Sequence, residues 1–255
     1  MTNQLIQGIC AMFRHLKVAS LAKDCSGWAL LNQQNATLSN WQQRQSSDVY
    51  VKAAKAENYR CRSAFKLVQI DEAYRIFKKK ERIVDLGAAP GSWSQVAVQR
   101  SVSTSQVISV DIKDFEPVPG TIHLPKTSIE DIDVISDVIQ DNWQDQKAQL
   151  VLSDMLHNVS GEKTYDHINS IKLCSNVLKF CFQHLEDNGS VVMKIYHGPH
   201  EEKFILLLRK YFKNVFTYRP DASRKTSREK FIIGKQFQSS VLEKPKLESD
   251  KLELD

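Results

Sequence analysis

The sequence predicts an α/β domain organised around a parallel sheet, and three apolar runs are the basis of this prediction. Residues 83–86 form a short apolar run with one carboxylate, which ends at Gly87 and is followed by a helix start at Ser92. Residues 107–111 and 149–154 are two further apolar runs, and each ends on an acid. Short apolar runs bounded by turn residues are typical of parallel strands that are buried on both faces.

The stretch IVDLGAAPGSWSQ, residues 83–95, has the composition of a ligand cradle. Its small residues let the backbone approach a ligand closely, and the helix that follows directs free N–H groups at it. It lacks GxGxxG, because Pro90 stands in the place of a second glycine, and no Gly-Lys-Ser/Thr follows. The turn therefore suits a ligand without phosphates, such as S-adenosylmethionine. An ordinary connection between a strand and a helix is the alternative.

Two acids are predicted at the carboxyl edge of the sheet. Asp111 stands about 20 residues after the turn, the spacing at which a carboxylate binds ribose hydroxyls in doubly wound folds. The alternative role of Asp111 is to cap the next loop. Asp154 ends the third strand, and ligands of open α/β sheets bind at this edge. Asn158, in the loop that follows, is available beside the same site.

The rest of the chain predicts further elements of one large domain. They are a short strand near 122–124, a helix at 128–142, a long helix that carries Ile168, Ile171, Leu178 and Leu185 and ends at Asn188 and Gly189, a strand at 190–196, a helix at 200–212, and strands at 214–218 and 230–234. The chain has 255 residues, 42% of them hydrophobic, which is enough for a substantial core. We place the domain at residues 48–237.

The two ends of the chain differ in composition from this domain. Residues 1–47 are rich in Gln, Asn and Ser and contain the bases Arg14, Lys17, Lys23 and Arg44 against the single acid Asp24. This composition predicts a mitochondrial transit peptide and a matrix location, and an extension without an address in a cytoplasmic or nuclear protein is the alternative. Residues 238–255 alternate lysines with acids, which predicts a disordered tail. No apolar run approaches the roughly 20 residues of a membrane span.

The cysteines and histidines predict neither a disulfide nor a metal site. The cysteines are Cys10, Cys25, Cys61, Cys174 and Cys181. They form no CxxC pair, and the last two are spaced to lie on one buried helix face, so reduced core thiols are expected. His197 and His200 have no third ligand at a suitable spacing and are interpreted as polar loop residues.

Basic residues concentrate in two stretches that predict an RNA-binding surface. They are Lys52, Lys55, Arg60 and Arg62 in the first stretch, and Arg224, Lys225 and Arg228 in the second. Lysines and arginines that neutralise phosphates hold RNA by its backbone. A solvated helix face is the alternative for the first stretch. Lys66 and Lys194 differ from these residues, because each is embedded in an apolar segment where a lysine needs a partner.

Six motifs follow one another along the chain. They are DVYVKAAKAENYRCRSAFKL, VDLGAAPGSWSQ, VISVD, LSDMLHNVSG, MKIYHG and RPDASRKTSRE. In this order they resemble the FtsJ/RrmJ family of ribose 2′-O-methyltransferases over residues 48–235, and most closely the branch that modifies mitochondrial large-subunit ribosomal RNA. The resemblance implies a Rossmann-like, S-adenosylmethionine-dependent methyltransferase fold. Its sheet has seven strands, mostly parallel with the last one antiparallel, and helices on both faces.

The resemblance also implies the residues of the site and their roles. The catalytic tetrad falls on Lys66, Asp154, Lys194 and Glu229. The cofactor contacts fall on Pro90, Gly91, Ser92, Trp93, Asp111 and Asp154, with Ser128 and Ile129 nearest the adenine. Asp154 is expected to hold Lys194, the principal catalytic residue, and Glu229 to orient Lys66 or the ribose. The implied substrate is a uridine 2′-hydroxyl in ribosomal RNA of a large-subunit precursor particle, and the implied enzyme is a monomer.

Several positions depart from the family's pattern. Ser92 replaces a glycine, His157 a proline and Phe231 a tyrosine, and Ser128 stands nearest the place of a missing acid beside the adenine. The last departure concerns adenine recognition rather than the reaction. Three alternatives remain: a transfer-RNA or messenger-cap methyltransferase with the same tetrad, a non-catalytic RNA-binding ribosome-assembly factor, and a small-molecule α/β enzyme. The tetrad argues against the assembly factor, and the basic stretches argue against the small-molecule enzyme.

Overall fold

A seven-stranded sheet forms the centre of the protein. The structure, a computed structural model, describes residues 48–144 and 146–243. The strands are β1 (Arg82–Leu86), β2 (Gln106–Val110), β3 (Thr121–Leu124), β4 (Ala148–Ser153), β5 (Leu185–Tyr196), β6 (Phe212–Tyr218) and β7 (Glu229–Phe237). Their order across the sheet is β3-β2-β1-β4-β5-β7-β6. β7 is antiparallel to both neighbours and the other pairs are parallel, which confirms the predicted sheet.

Helices cover both faces of this sheet. They are α1 (Val49–Ala56), α2 (Ala64–Tyr74), α3 (Ser92–Arg100), α4 (Ile132–Trp143), α5 (Lys163–His184), α6 (Glu201–Leu208) and α7 (Ser240–Glu243). α2 and α3 pack on one face, where Trp93 joins a core cluster with Leu150 and Leu152 of β4. α4, α5 and α6 pack on the other face, where Phe180 clusters with Val151. Because most residues of the strands are apolar on both faces, the strands appear in the sequence as nearly continuous apolar runs.

α4 begins later than the predicted residue 128, and the intervening residues are important for the site. Residues 128–131 form a turn in which the Ser128 N–H donates to Oδ2 of Asp131 at 2.9 Å. The Asp131 N–H donates in return to the Ser128 C=O at 3.0 Å. Because these bonds replace the first helical turn, Ser128 and Ile129 stay at the carboxyl edge of the sheet.

The predicted end of the long helix at Asn188 and Gly189 is wrong. α5 ends at His184, and Leu185 already starts β5. Asn188 has φ 62°, and the pairing with β4 shifts register in this part of β5. A Cβ at Gly189 would lie 2.6 Å from the side chain of Leu185. Asn188 and Gly189 therefore lie in an irregular start of β5. The sequence could not distinguish this from a helix end, because helix caps and bulges both use residues that tolerate positive φ.

α6 is also shorter than the predicted helix at 200–212. It ends at Leu208, and Phe212 is the first residue of β6. The ring centroid of Phe212 lies 5.2 Å from that of Phe237, the last residue of β7. Phe212, predicted to end the helix, is thus part of the sheet because it packs against a strand that is distant in sequence.

The predicted terminal segments lie mostly outside the described residues. This holds for the whole extension, residues 1–47, and for residues 244–255 of the tail. After β7 the chain continues into α7, and the Ser239 N–H donates to Oδ1 of Asp187 at 2.7 Å. The structure thus describes ordered contacts for residues 238–243, and the disorder predicted for the tail stays a prediction.

Cys174 and Cys181 are buried on α5, as predicted for core thiols. Burial raises the pKa of the Cys174 thiol to about 12, and its Sγ donates to the Lys194 C=O at 3.1 Å. A buried thiol that stays protonated is a poor nucleophile. Within residues 48–144 and 146–243, no three His, Cys, Asp or Glu side chains come together as a possible metal site. None of the helices in those ranges has the length and apolar character to cross a membrane.

Candidate active site

The turn after β1 depends on a glycine. Gly87 has φ +79°, and a Cβ at this position would lie 2.2 Å from Cγ of Met155. The N–H groups of Gly87 and Ala88 both donate to the C=O of Val110, at 2.8 and 2.9 Å. The turn is therefore bound to the end of β2 and packed against the segment after β4, with a backbone approach that only glycine allows.

A cavity of about 520 Å³ opens beside this turn, at the carboxyl ends of β1, β2 and β4. Ala89, Asp111, Ile129, Asp154 and Asn169 are among the residues that line it. Its volume is in the range of small-molecule sites, and its position is that at which open α/β sheets bind ligands. The cavity thus lies where the sequence predicts a ligand site.

Asp111 is fixed at the wall of this cavity by backbone groups. Its Oδ2 accepts the Ala89 N–H and its Oδ1 accepts the Lys113 N–H, each at 2.8 Å. The residue is 8% exposed. Each carboxylate oxygen can still accept from another donor, since an ionised carboxylate offers about four acceptor sites. This geometry fits the two hydroxyl groups of a ribose.

The eight residues predicted to contact a cofactor fall into two groups. Those that line the cavity are Asp111, Ser128, Ile129 and Asp154. Those that connect the turn to the protein around it are Pro90, Gly91, Ser92 and Trp93. For the second group, direct contact with a cofactor stays a prediction.

Trp93 and Ser92 connect the turn to the segment before α2. The Trp93 Nε1–H donates to the Ser63 C=O at 2.9 Å, and its ring centroid lies 5.5 Å from that of Phe231. The Ser92 hydroxyl lies 3.0 Å from Sγ of Cys61. The indole is therefore part of the packing between α3 and the segment that carries Ser63.

Arg60 binds the other side of the turn through three carbonyl groups. Its Nη1 donates to the C=O of Pro90 at 2.8 Å and to that of Glu116, and its Nη2 donates to the C=O of Pro117 at 2.6 Å. Gly91, at φ +108°, leaves room for this guanidinium, because a Cβ there would lie 2.7 Å from Nη1. We name this arrangement the Arg60 clamp. It corrects the view of Arg60 as a free surface cation, and any contact of Arg60 with RNA stays a prediction.

The predicted tetrad meets beside the cavity as two ion pairs. Nζ of Lys66 lies 2.8 Å from Oε1 of Glu229, and Nζ of Lys194 lies 2.9 Å from Oδ1 of Asp154. Lys194 also donates to the C=O of Asp154 at 2.5 Å. Asp154 thus holds Lys194 and Glu229 orients Lys66, as expected.

Four elements bring these side chains together. The elements are α2 for Lys66, the end of β4 for Asp154, β5 for Lys194 and the start of β7 for Glu229. In the ladder between β5 and β7, Lys194 stands opposite Phe231 and Tyr196 opposite Glu229. Opposed residues share a face of the sheet, as do alternate residues of one strand. Because Phe231 packs in the cluster with Leu67 of α2, Lys194 and Glu229 both face Lys66.

The charges of the tetrad stabilise one another. Burial alone would raise the pKa of Asp154, but the cations of Lys194 and Lys66 and the Ser63 hydroxyl outweigh burial and hold this pKa below its usual value. Burial alone would lower the pKa of Lys66, but the carboxylates of Asp154 and Glu229 outweigh it and raise this pKa. Asp154 is therefore an anion and Lys66 a permanent cation near neutral pH. Lys66 can stabilise negative charge but cannot accept a proton.

Sequence reasoning missed several residues of the site. Ser63 donates its hydroxyl to Oδ2 of Asp154. It stands three residues before Lys66, a helical spacing that places two residues on one face and was available as a signal. The polar cavity residues of α5 were also missed; they are Asn169, Lys172 and Asn176. Their spacing is likewise that of one helix face.

The cations predicted to bind RNA differ in exposure. Lys52 and Lys55 on α1 are exposed, as are Arg224 and Lys225 in the loop before β7, and Arg228 is half-buried. Arg219 donates from Nη2 to the C=O groups of Arg224 and Lys225, at 3.1 and 3.2 Å, so this loop has an ordered backbone. We name the four exposed cations the basic surface.

Arg62 contacts both segments that carry the basic surface, the start of α1 and the loop before β7. It forms an ion pair with Asp48 and donates to the C=O of Ala222. Its Cζ lies 5.7 Å from the centre of the Tyr50 ring. Gln69 of α2 accepts the Ala222 N–H at 3.0 Å, so the loop before β7 packs directly on α2. Arg62 therefore has a structural role in place of a free positive charge, and its contact with RNA stays a prediction.

The chain matches known proteins over most of its length. The family model described as FtsJ-like methyltransferase matches residues 59–237. The protein named ribosomal RNA large subunit methyltransferase E in Ehrlichia chaffeensis is 36% identical over 211 residues, which cover 82% of this chain and 98% of that relative. The protein of the same name in Methanothermobacter thermautotrophicus is 35% identical, with 77% and 93% covered. The solved structure of a ribosomal RNA methyltransferase from Plasmodium falciparum superposes with a TM-score of 0.63 at 30% identity, and covers 70% of this chain and 98% of its own. The chain therefore belongs to the FtsJ-like methyltransferase family.

Proposed function

We propose that this protein transfers the methyl group of S-adenosylmethionine to a ribose 2′-hydroxyl of large-subunit ribosomal RNA. The observation that supports this most strongly is the meeting of two lysines and two carboxylates at the edge of a cavity of about 520 Å³. The substrate class is supported by the names of the relatives in E. chaffeensis and M. thermautotrophicus. The membership of a methyltransferase family supports the reaction class.

The residues of the cavity fit S-adenosylmethionine. Asp111, held by two backbone N–H groups, presents acceptors for ribose hydroxyls. Ile129 offers an apolar wall for a purine, and Gly87 allows the turn to lie close to the ligand. When bound, the cofactor supplies a methyl group that its sulfonium already activates. The protein therefore has to align the acceptor oxygen and to manage one proton.

In this proposal, Lys194 acts on the acceptor oxygen. An ammonium group has three N–H donors, and Lys194 uses one of them for its hydrogen bond to the C=O of Asp154, while Oδ1 of Asp154 is its ion-pair partner at 2.9 Å. Lys194 therefore retains a donor for the 2′-oxygen. Lys66, held as a cation by Glu229, stabilises the negative charge that develops on that oxygen. Holding the oxygen in line with the methyl group can lower the barrier by about 7–11 kcal/mol.

The basic surface supports RNA as the substrate. Phosphate groups are neutralised by exposed lysines and arginines, and the chain presents such residues on α1 and in the loop packed on α2. The reaction itself requires a 2′-hydroxyl, which excludes DNA at the target nucleotide. A small-molecule substrate would not need this charged surface.

We further propose that the target is a uridine and that the enzyme acts as a monomer on a large-subunit precursor particle in the mitochondrial matrix. The basic composition of residues 1–47 supports the mitochondrial address. A cytoplasmic or nuclear location is the alternative. A transfer-RNA or messenger-cap substrate would use the same tetrad, so the experiment must include those RNAs.

Ribose-methylation mapping of total RNA from cells with and without this protein tests the proposal. We expect one site in large-subunit ribosomal RNA to lose its methyl group, and we expect the wild-type chain but not Lys194→Ala to restore it. Lys230→Ala is the matched control, because Lys230 pairs with Glu201 at 3.0 Å and takes no part in the tetrad. A lost site in transfer RNA or a messenger cap would change the substrate. Unchanged methylation in every RNA class would contradict the enzymatic activity.

The basic surface gives a prediction about salt. Replacing both Arg224 and Lys225 by alanine should weaken RNA binding and make the negative slope of log K against log salt shallower by about 2, because each contacted phosphate contributes about one unit. Fluorescence anisotropy with a ribosomal RNA fragment across a potassium chloride series measures both effects. Lys78→Ala with Lys79→Ala is the control, since these exposed residues lie in the turn before β1, at the amino edge of the sheet. An equal effect of both double variants would contradict the assigned surface.

A further inference from the structure

Tyr196 is an aromatic residue on the catalytic face that the tetrad does not use. It ends β5, two residues after Lys194, and the two side chains share a face because side chains alternate along a strand. Two residues of a strand span about 6.6 Å. Tyr196 also stands directly opposite Glu229, the partner of Lys66. Tyr196 is therefore next to a residue of each ion pair on this face of the sheet, and it is half-buried.

The backbone of Tyr196 is held on both sides. Its N–H donates to Oγ of Ser170 at 3.1 Å, and its C=O accepts the Nδ1–H of His167 at 2.7 Å. Nε2 of His167 accepts the His200 N–H at 3.0 Å, which fixes this tautomer of the ring. Burial lowers the pKa of His167, so the imidazole stays neutral. These bonds hold the end of β5 rigidly, and a rigid element is what a precise binding position requires.

Arg228 packs over one face of the Tyr196 ring. Its Cζ lies 6.0 Å from the centre of the Tyr196 ring, and its Nη2 donates to the C=O of Lys163 at 3.2 Å. The Arg228 C=O accepts the His197 N–H at 3.0 Å, so the backbone of this residue is also fixed. Aromatic rings and guanidinium planes are the groups on which proteins stack unpaired RNA bases.

We propose that Tyr196, with Arg228 packed over one face of its ring, is the stacking platform for the base of the nucleotide whose 2′-oxygen lies at Lys194. This inference rests on the proposed RNA substrate. The base of a nucleotide lies about one sugar ring away from its 2′-oxygen, which suits a separation of two strand residues between the lysine and the tyrosine. Stacking uses the π-face that every base has, so the platform orients the target nucleotide without choosing its identity.

The test compares variants of the full chain on large-subunit precursor particles from cells that lack this protein. With labelled S-adenosylmethionine, Tyr196→Ala should lower kcat/KM about 10- to 100-fold, whereas Tyr196→Phe and Tyr196→Trp should stay within about threefold of wild type. Affinity for S-adenosylhomocysteine, measured by calorimetry, should be the same in all variants. Phe216→Ala is the matched control, because Phe216 is an exposed aromatic residue on the edge strand β6. Tyr196→Leu repeats the test with the side-chain volume retained in case the alanine variant does not fold.

Each result has one meaning. Loss with Ala and Leu, together with rescue by Phe and Trp, supports stacking. A Tyr196→Phe variant as poor as Tyr196→Ala would assign the role to the hydroxyl and overturn the proposal. Full activity of Tyr196→Ala would also overturn it and leave the methyltransferase function intact. A wild-type chain that binds S-adenosylhomocysteine but modifies no RNA would overturn both the platform and the proposed function. The wild-type reaction alone shows this, so failure of the function is distinguished from failure of the platform.

Discussion

Replacing Lys194 by alanine is expected to lower kcat for methyl transfer by about 10²- to 10⁴-fold, the usual contribution of one acid–base or charge-stabilising group. The affinity for S-adenosylhomocysteine should stay within about twofold of wild type, because Asp154 lines the cavity whereas Lys194 is not among its lining residues. The fold should survive. Asp154 keeps the Ser63 hydroxyl as a partner and Lys66 as a nearby cation, so its charge is not left alone in the core.

Two measurements decide what Lys194 does. Single-turnover kinetics report the transfer step, and calorimetry with S-adenosylhomocysteine reports the cofactor site. Lys194→Arg should fail as well, because a guanidinium has another shape and does not accept a proton near neutral pH. Lys230→Ala should behave as wild type. A parallel loss of transfer and cofactor affinity in Lys194→Ala would assign this lysine to structure instead of chemistry.

The second large effect concerns Asp85, a fully buried carboxyl in β1, two residues before the turn at Gly87. Oδ2 accepts the Ser94 hydroxyl at 2.6 Å, and Ser109 donates to Ser94 at 2.8 Å. Burial raises the pKa of Asp85 to about 7; the Ser94 bond opposes this shift, and the nearby carboxylates of Asp154 and Asp111 add to it. An unfolded chain ionises this carboxyl at about pH 4. Between about pH 4 and 7, the folded state therefore holds a proton that the unfolded state has released, and stability falls as the pH rises through this window.

Asp85→Asn should remove this dependence, because the amide has the same shape and can accept the Ser94 hydroxyl without a charge. The stability difference between variant and wild type should shift in favour of the variant by about 2–3 kcal/mol from pH 5 to pH 8. Urea unfolding at both pH values measures it. Asp137→Asn, at an exposed position on α4, is the control. A difference that is the same at pH 5 and pH 8 would show that the carboxyl of Asp85 is ionised in the folded protein throughout.

The parts of the fold that were predictable are those encoded by local pattern. The apolar runs of β1, β2 and β4 and the turn at Gly87 follow from strand burial and backbone sterics, which act over a few residues. The ends of elements were less predictable. Asn188 and Gly189 fit a helix cap as well as a strand irregularity, and only the pairing of β5 with β4 selects the second. Phe212 joined the sheet through a contact with Phe237, 25 residues away in the numbering.

The candidate site also has a part that could be predicted from the sequence and a part that could not. The tetrad residues were identified through the resemblance of their motifs, and the reason that a lysine at 66 or 194 needs a partner was visible in the surrounding apolar residues. Whether a surface cation is free to bind a ligand could not be predicted from the sequence. Arg60 and Arg62 were predicted to be free positive charges. Both donate to carbonyl groups of segments that are distant in sequence, and only the structure shows these contacts. Composition gives the number of cations in a segment, whereas the fold decides how many are left for a ligand.

The strand order has a consequence for how the enzyme is completed during synthesis. β6 is made before β7, which is its one strand partner among the residues that the structure describes, and β7 inserts between β5 and β6. Until β7 has left the ribosome, β6 has no neighbour in the sheet and Lys66 has no Glu229. A nascent chain can therefore build the turn at Gly87 early, from β1 and β2, while it still lacks the carboxylate of Glu229. The same strand that joins β5 to β6 also delivers Glu229, so the two ion pairs of the predicted tetrad are complete only after β7 has formed.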